Sequence, residues 1–181
     1  MIKKFVTIGP ESTGKTTISE QLAGVYNTGW CQEYAREYLL NNGPKYSYDD
    51  LLIIAKGQLA IEDSMTMALE KKHPDGTGLL FLDTDLTVLK VWCEYVYGKC
   101  HSFILDQIAC RKYDFYFLCN TDFPWQEDIL REYPEVEQRE ELFKMYKDLL
   151  VNQATPWMVL EGDPDQRINL ATKAVNALLK T

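Results

Sequence analysis

Short runs that are apolar on both faces alternate with longer stretches whose apolar residues recur at helical spacing. Phe5-Val-Thr-Ile8, Leu79-Leu-Phe-Leu82, Asp114–Cys119 and Trp157–Leu160 read as fully buried strands, and a shorter strand falls near Trp30–Gln32. Strands buried on both faces belong to parallel sheets covered by helices. The pattern predicts a helix from about Thr16 to Tyr26, stopped by Asn27 and Gly29. After the break at Asn42-Gly43-Pro44, Asp49 or Asp50 opens a long helix to roughly Lys71. A further helix covers Leu86–Tyr97 with Gly98 at its C′ position, and Ser102 is placed to cap Phe103–Arg111. Pro124–Glu132 and Val136–Asn152 read as two charged helices, and Asp163-Pro164 starts the last one, which runs to about Leu179.

Alternating strands and helices predict an α/β fold: a three-layer α/β/α sandwich around a five-stranded parallel sheet, as one domain over residues 1–181. No repeat, low-complexity tract or linker interrupts it.

The first strand-to-helix loop changes the picture from fold to chemistry. Gly9-Pro-Glu-Ser-Thr-Gly-Lys-Thr-Thr17 fits G-x-x-x-x-G-K-[ST] without a mismatch and sits between a strand and a helix, the context that makes this pattern a P-loop. The expected class is therefore a P-loop NTPase of the nucleoside/nucleotide kinase type. Gly9 and Gly14 permit backbone conformations that aim successive N–H groups at phosphate oxygens, and the helix N-terminus adds partial positive charge. Gly9, Glu11, Ser12, Thr13, Gly14, Lys15, Thr16 and Thr17 are the candidate ATP-binding residues. Lys15 reaches the β- and γ-phosphates, and the Thr16 hydroxyl takes a Mg²⁺ position.

Four hydrophobic residues ending in Asp83 form the pattern of a second Mg²⁺ carboxylate. Asp85 suits a helix cap and is also an alternative candidate for the catalytic base and the substrate side. Glu33 closes the short strand, where an acidic residue faces an acceptor hydroxyl, orients it and accepts its proton. Arg36, one helical turn on, is a substrate-side cation, and Gln58 on the long helix is placed to reach a substrate ring. A lid is expected at about residues 121–141, with Arg131 and Arg139 as cations for the transferred phosphoryl. Asn120-Thr-Asp122 lacks the lysine and spacing of a guanine-reading motif, which favours ATP, and Gly162–Arg167 forms an adenine-side loop. The aromatic group Trp92, Tyr95 and Tyr97 serves either core packing or stacking on a planar ring.

Composition narrows the partners. A net charge of −8 argues against nucleic acid, and no stretch approaches the length of a membrane span. Five cysteines in odd number without C-x-x-C fit reduced thiols in a cytoplasmic protein.

The P-loop together with Glu33-Tyr-Ala-Arg36-Glu37, Asp83-Thr-Asp85 and Trp125 through Arg131 resembles the ribosylnicotinamide kinase domain of the bacterial NadR proteins, in order and over nearly the whole chain. The resemblance implies transfer of phosphate from ATP, with Mg²⁺, to the 5′-hydroxyl of a small riboside, nicotinamide riboside before others. Two other readings stay open on the residues alone: a kinase of another nucleoside, and a regulatory ATPase that switches a protein partner.

Overall fold

The computed structural model describes residues 2–180. Its elements are β1 (Lys3–Ile8), α1 (Lys15–Val25), β2 (Trp30–Cys31), α2 (Tyr34–Asn42), α3 (Tyr48–Lys72), β3 (Leu79–Asp83), α4 (Leu86–Tyr97), α5 (Ser102–Cys110), β4 (Phe115–Cys119), α6 (Val136–Val151), β5 (Trp157–Leu160) and α7 (Pro164–Leu178). The five strands pair in parallel in the order β2-β3-β1-β4-β5. No helix among the described residues is long and apolar enough to cross a membrane.

The alternation of side chains along each strand builds the layers. Val6, Ile8, Leu80, Leu82, Tyr116 and Leu118 face a core completed by α4 and α6. Phe5, Phe81 and Phe117 face the opposite way, into a core closed by α1 and α7. Phe5 stacks on Phe81 at 5.3 Å and on Phe117 at 6.4 Å, so three adjacent central strands are joined by one aromatic row. A third cluster, with Leu51, Ile54, Leu86, Leu89 and Ile104, binds α3, α4 and α5 beyond the sheet.

Four expectations need correction. The long helix is opened by Ser47, not by Asp49 or Asp50: Ser47 Oγ accepts from Asp50 N, and the Asp50 carboxylate accepts from Ser47 N in return. His101, not Ser102, precedes α5. Helix α2 appears where no separate helix was read, because it buries no residue completely and lacks an apolar stripe. Residues 124–132 form no helix. Their backbone N–H groups are spent elsewhere: Gln126 N donates to Ser12 Oγ, Leu130 N to Asp128 Oδ1, and Glu132 N to Glu11 Oε2.

Candidate active site

β1, β3, β4 and β5 all end on one edge of the sheet, and the register of Thr7 opposite Asp83 sets the P-loop beside the end of β3. Gly9 has φ 144°, and a Cβ there would lie 2.8 Å from Cys119 O. Only glycine lets the loop pass that close to β4. From Glu11 to Thr17 the loop lines a cavity of about 460 Å³. Lys15 Nζ donates to Pro10 O at 2.9 Å within the loop.

Thr16 Oγ1 donates to Asp83 Oδ2 at 2.6 Å, joining the first turn of α1 to β3. Asp83 Oδ1 is buried without a hydrogen-bond partner. Burial first, and the charge of Glu33 second, push the Asp83 carboxyl up to about 7, while Lys15 and the Thr16 hydroxyl pull it down. A buried carboxylate oxygen lacking a donor, next to a threonine hydroxyl, fits a hard cation with oxygen ligands such as Mg²⁺.

Two residues on, the chemistry differs. Thr84 between the two aspartates has φ 71°, an uncommon conformation for a β-branched residue. After this turn Asp85 caps α4, accepting from Thr87 N, Thr87 Oγ1 and the Tyr116 hydroxyl at 2.7–2.9 Å. It is 3 % exposed. With its acceptor sites filled inside the protein, Asp85 does not reach the cleft. Its candidacy as base or substrate ligand is corrected to a structural cap.

Glu33 stands at the N-terminus of α2, yet its carboxylate caps nothing. It lines both the main cavity and an adjoining groove that contains Thr16, Asp83 and Arg36. Gln58, read as a substrate contact, is 3 % exposed and instead bonds the backbone on both sides of Glu33. Beyond Glu33 the cavity is walled by Leu51, Ile54, Val88, Leu89, Tyr46 and Trp92. The Tyr46 and Trp92 rings lie 5.7 Å apart. Tyr46, outside the motifs, was missed.

The candidate lid is an irregular loop over residues 121–135, fastened across the cleft, and continues into the first turns of α6. Glu11 Oε2 accepts from Glu132 N and Tyr133 N, and burial raises its carboxyl while these two bonds lower it. Arg36 pairs with Asp128 at 2.9 Å, and the Tyr46 hydroxyl donates to Glu132 at 2.9 Å. Arg131 lines the cavity and donates to Ser12 Oγ and Gln126 O. Arg139 is 3 % exposed and donates to Ser12 O and Phe123 O, so it holds the P-loop to the lid from behind and does not line the cavity. Its Nε has no partner.

Arg167 is the cation that sequence reasoning valued too little. It is completely buried, and donates to Gly162 O, Thr13 O, Asn120 O and Asp122. Its guanidinium lies 4.0 Å over the Phe123 ring. One side chain thus ties the P-loop to the ends of β4 and β5. The Asp122 carboxylate, which also accepts from Gly162 N, is consumed in this brace.

A parallel sheet with β1 between β3 and β4, a P-loop on its central strand and a carboxylate at the end of β3 define the fold of the P-loop nucleoside and nucleotide kinases. The sequence model described as AAA domain matches residues 4–167, and the chain belongs to that family. It is 26% identical over 183 residues to the trifunctional NAD biosynthesis/regulator protein NadR of Escherichia coli (strain K12), an alignment covering 98% of this chain and 43% of that protein. The chain therefore spans less than half the length of this relative. A crystal structure of NadR protein in complex with NR superposes with a TM-score of 0.78 at 23% identity, over 99% of this chain and 52% of that one. A deoxyadenosine kinase from M. mycoides with bound dATP gives 0.59 at 14% identity, over 96% and 99%. The expected likeness to NadR stands.

Proposed function

We propose that this protein is an ATP-dependent kinase that phosphorylates the 5′-hydroxyl of a small riboside, with nicotinamide riboside as its acceptor. The observation that carries this reading is the free Glu33 carboxylate, placed where the phosphate-binding end of the cleft meets an aromatic-walled compartment. A switch ATPase has no use for such a compartment, whereas a flat-ringed riboside fills it. A relative in complex with NR supports the choice of acceptor.

In this mechanism the P-loop amides and Lys15 hold the β- and γ-phosphates, Lys15 exchanging Pro10 O for phosphate oxygens. Thr16 and Asp83 would hold Mg²⁺, which neutralises charge developing on the phosphates. Glu33 accepts the proton of the acceptor hydroxyl. The hydroxyl oxygen forms its bond to the γ-phosphorus, the bond to the β–γ bridging oxygen breaks, and ADP leaves. Arg131 serves the transferred phosphoryl from the lid over residues 121–141, which also excludes water. ATP is the donor favoured here: the guanine-reading lysine and spacing are missing after β4, and the Asp122 carboxylate is engaged by Arg167 and Gly162. Tyr46 and Trp92 supply ring faces for the base of the acceptor.

The test is ADP release coupled to mass detection with ATP and Mg²⁺. Nicotinamide riboside should give nicotinamide mononucleotide well ahead of uridine, cytidine, adenosine or free nicotinamide. Brisk phosphorylation of another nucleoside alone would keep the kinase and remove this acceptor. Turnover unmoved by every acceptor would favour the regulatory ATPase.

A further inference from the structure

Helix α3 contains a feature that its own stability does not explain. Gly57 lies mid-helix with ordinary helical backbone, where glycine costs about 1 kcal/mol relative to alanine. A Cβ added there would run into Cε1, Cδ1 and Cζ of Tyr34, so the missing side chain is the space the Tyr34 ring occupies. The next residue, Gln58, is buried and aimed at the same segment. Its Oε1 accepts from Tyr34 N at 2.7 Å, and its Nε2 donates to Gln32 O at 3.2 Å and reaches Cys31 Sγ at 3.5 Å.

These contacts bracket one residue. Gln32 O precedes Glu33 and Tyr34 N follows it, so one amide side chain fixes both flanking peptide groups. Tyr34 N also belongs to the first turn of α2, where backbone donors lack intrahelical partners. Gln58 satisfies it from another helix, and among the described residues the Glu33 carboxylate enters no hydrogen bond or ion pair.

The geometry points to Gly57 and Gln58 as positioning residues for phosphoryl transfer: together they form a seat that holds the Gln32-Glu33-Tyr34 backbone so that the Glu33 carboxylate stays uncommitted and directed at the acceptor hydroxyl. This rests on the reading of Glu33 as the base. Neither residue touches the reacting atoms. Both act through Glu33, and small misplacements of a reacting group cost large factors in rate.

The test is a double-mutant cycle on turnover with ATP, Mg²⁺ and nicotinamide riboside, with thermal unfolding run in parallel. Gln58→Leu keeps the side-chain bulk and removes the bonds to Tyr34 N and Gln32 O, together with the contact to Cys31 Sγ. Gly57→Ala improves the intrinsic helix propensity of α3 and displaces the Tyr34 ring, which separates a seat from mere helix support. Each should lower kcat roughly 10- to 100-fold, with KM for ATP within about 2-fold. In a Glu33→Gln background, each should add less than about 3-fold, because the group being positioned is already gone. Equal losses in both backgrounds, or full kcat in Gly57→Ala, would overturn the seat. Wild-type kcat in Glu33→Gln alone would instead remove the base assignment on which the seat depends.

Discussion

Thr16 and Asp83 share a 2.6 Å hydrogen bond that leaves the other Asp83 oxygen buried with nothing to accept from. That asymmetry sets the first prediction. Asp83→Asn preserves size but weakens the hold on Mg²⁺, so turnover should fall at least 10-fold at low Mg²⁺ and recover partly as Mg²⁺ is raised. Titrating activity against Mg²⁺ tests this. A uniform loss at every Mg²⁺ concentration would count against the metal role.

Lys15 makes one internal bond, to Pro10 O, worth no more than about 1.5–3 kcal/mol. Its proposed work lies in phosphate binding. Lys15→Ala should cost several orders of magnitude in turnover while melting near the wild-type temperature. Near-normal turnover would sink the P-loop assignment, and a large drop in melting temperature without ligand would mark the lysine as structural.

Asp85 predicts a pH signature in stability. Burial raises its carboxyl from an ordinary 3.8 to about 6, against the opposing bonds from Tyr116 and Thr87. A carboxyl that binds its proton more tightly when folded contributes most stability below about pH 4. That contribution is lost as pH rises through 6, a change of roughly 3 kcal/mol. Asp85→Asn keeps an acceptor for Thr87 N and never ionises, so it should gain on wild type by that order between pH 4 and 7, with most turnover retained. Urea unfolding at several pH values reads the difference. Parallel pH profiles would show that Asp85 does not titrate there.

Arg167 is predicted to be the costliest single cation to remove. Arg167→Met leaves the carbonyls of Thr13, Asn120 and Gly162 without the Arg167 donor and the Asp122 carboxylate with Gly162 N alone, a loss of about 3 kcal/mol or more. The midpoint of urea unfolding should fall while its slope stays constant, and ATP should bind more weakly because the Thr13 peptide is no longer held. A loss below about 1 kcal/mol would contradict the brace.

Legibility in the sequence followed the range of the interaction. The strands, the P-loop and the Asp163-Pro164 cap are local patterns, and each stands where periodicity and turn chemistry put it. Residues whose role depends on a distant partner were misread. Gln58 carries no signal that its amide faces the backbone of Gln32 and Tyr34, 26 and 24 residues away. Asp83 and Asp85 are told apart in sequence as metal carboxylate and helix cap, but the Tyr116 hydroxyl that withdraws Asp85 from the cleft lies 31 residues away. The lid was read as a helix because its composition allows one. Its backbone donors are instead taken by Glu11 and Ser12, more than a hundred residues earlier.

β1 precedes the other strands in the chain but lies in the middle of the sheet, and both its neighbours, β3 and β4, come much later. On the ribosome the P-loop therefore gains its β3 wall when Asp83 emerges and lacks its β4 wall until Cys119 has emerged. Until then the apolar strand Phe5–Ile8 can pair only with β3, and its β4 edge stays open. Nascent chains that stop short of Cys119 should be unable to retain nucleotide, so nucleotide binding arrives abruptly, when β4 joins the sheet.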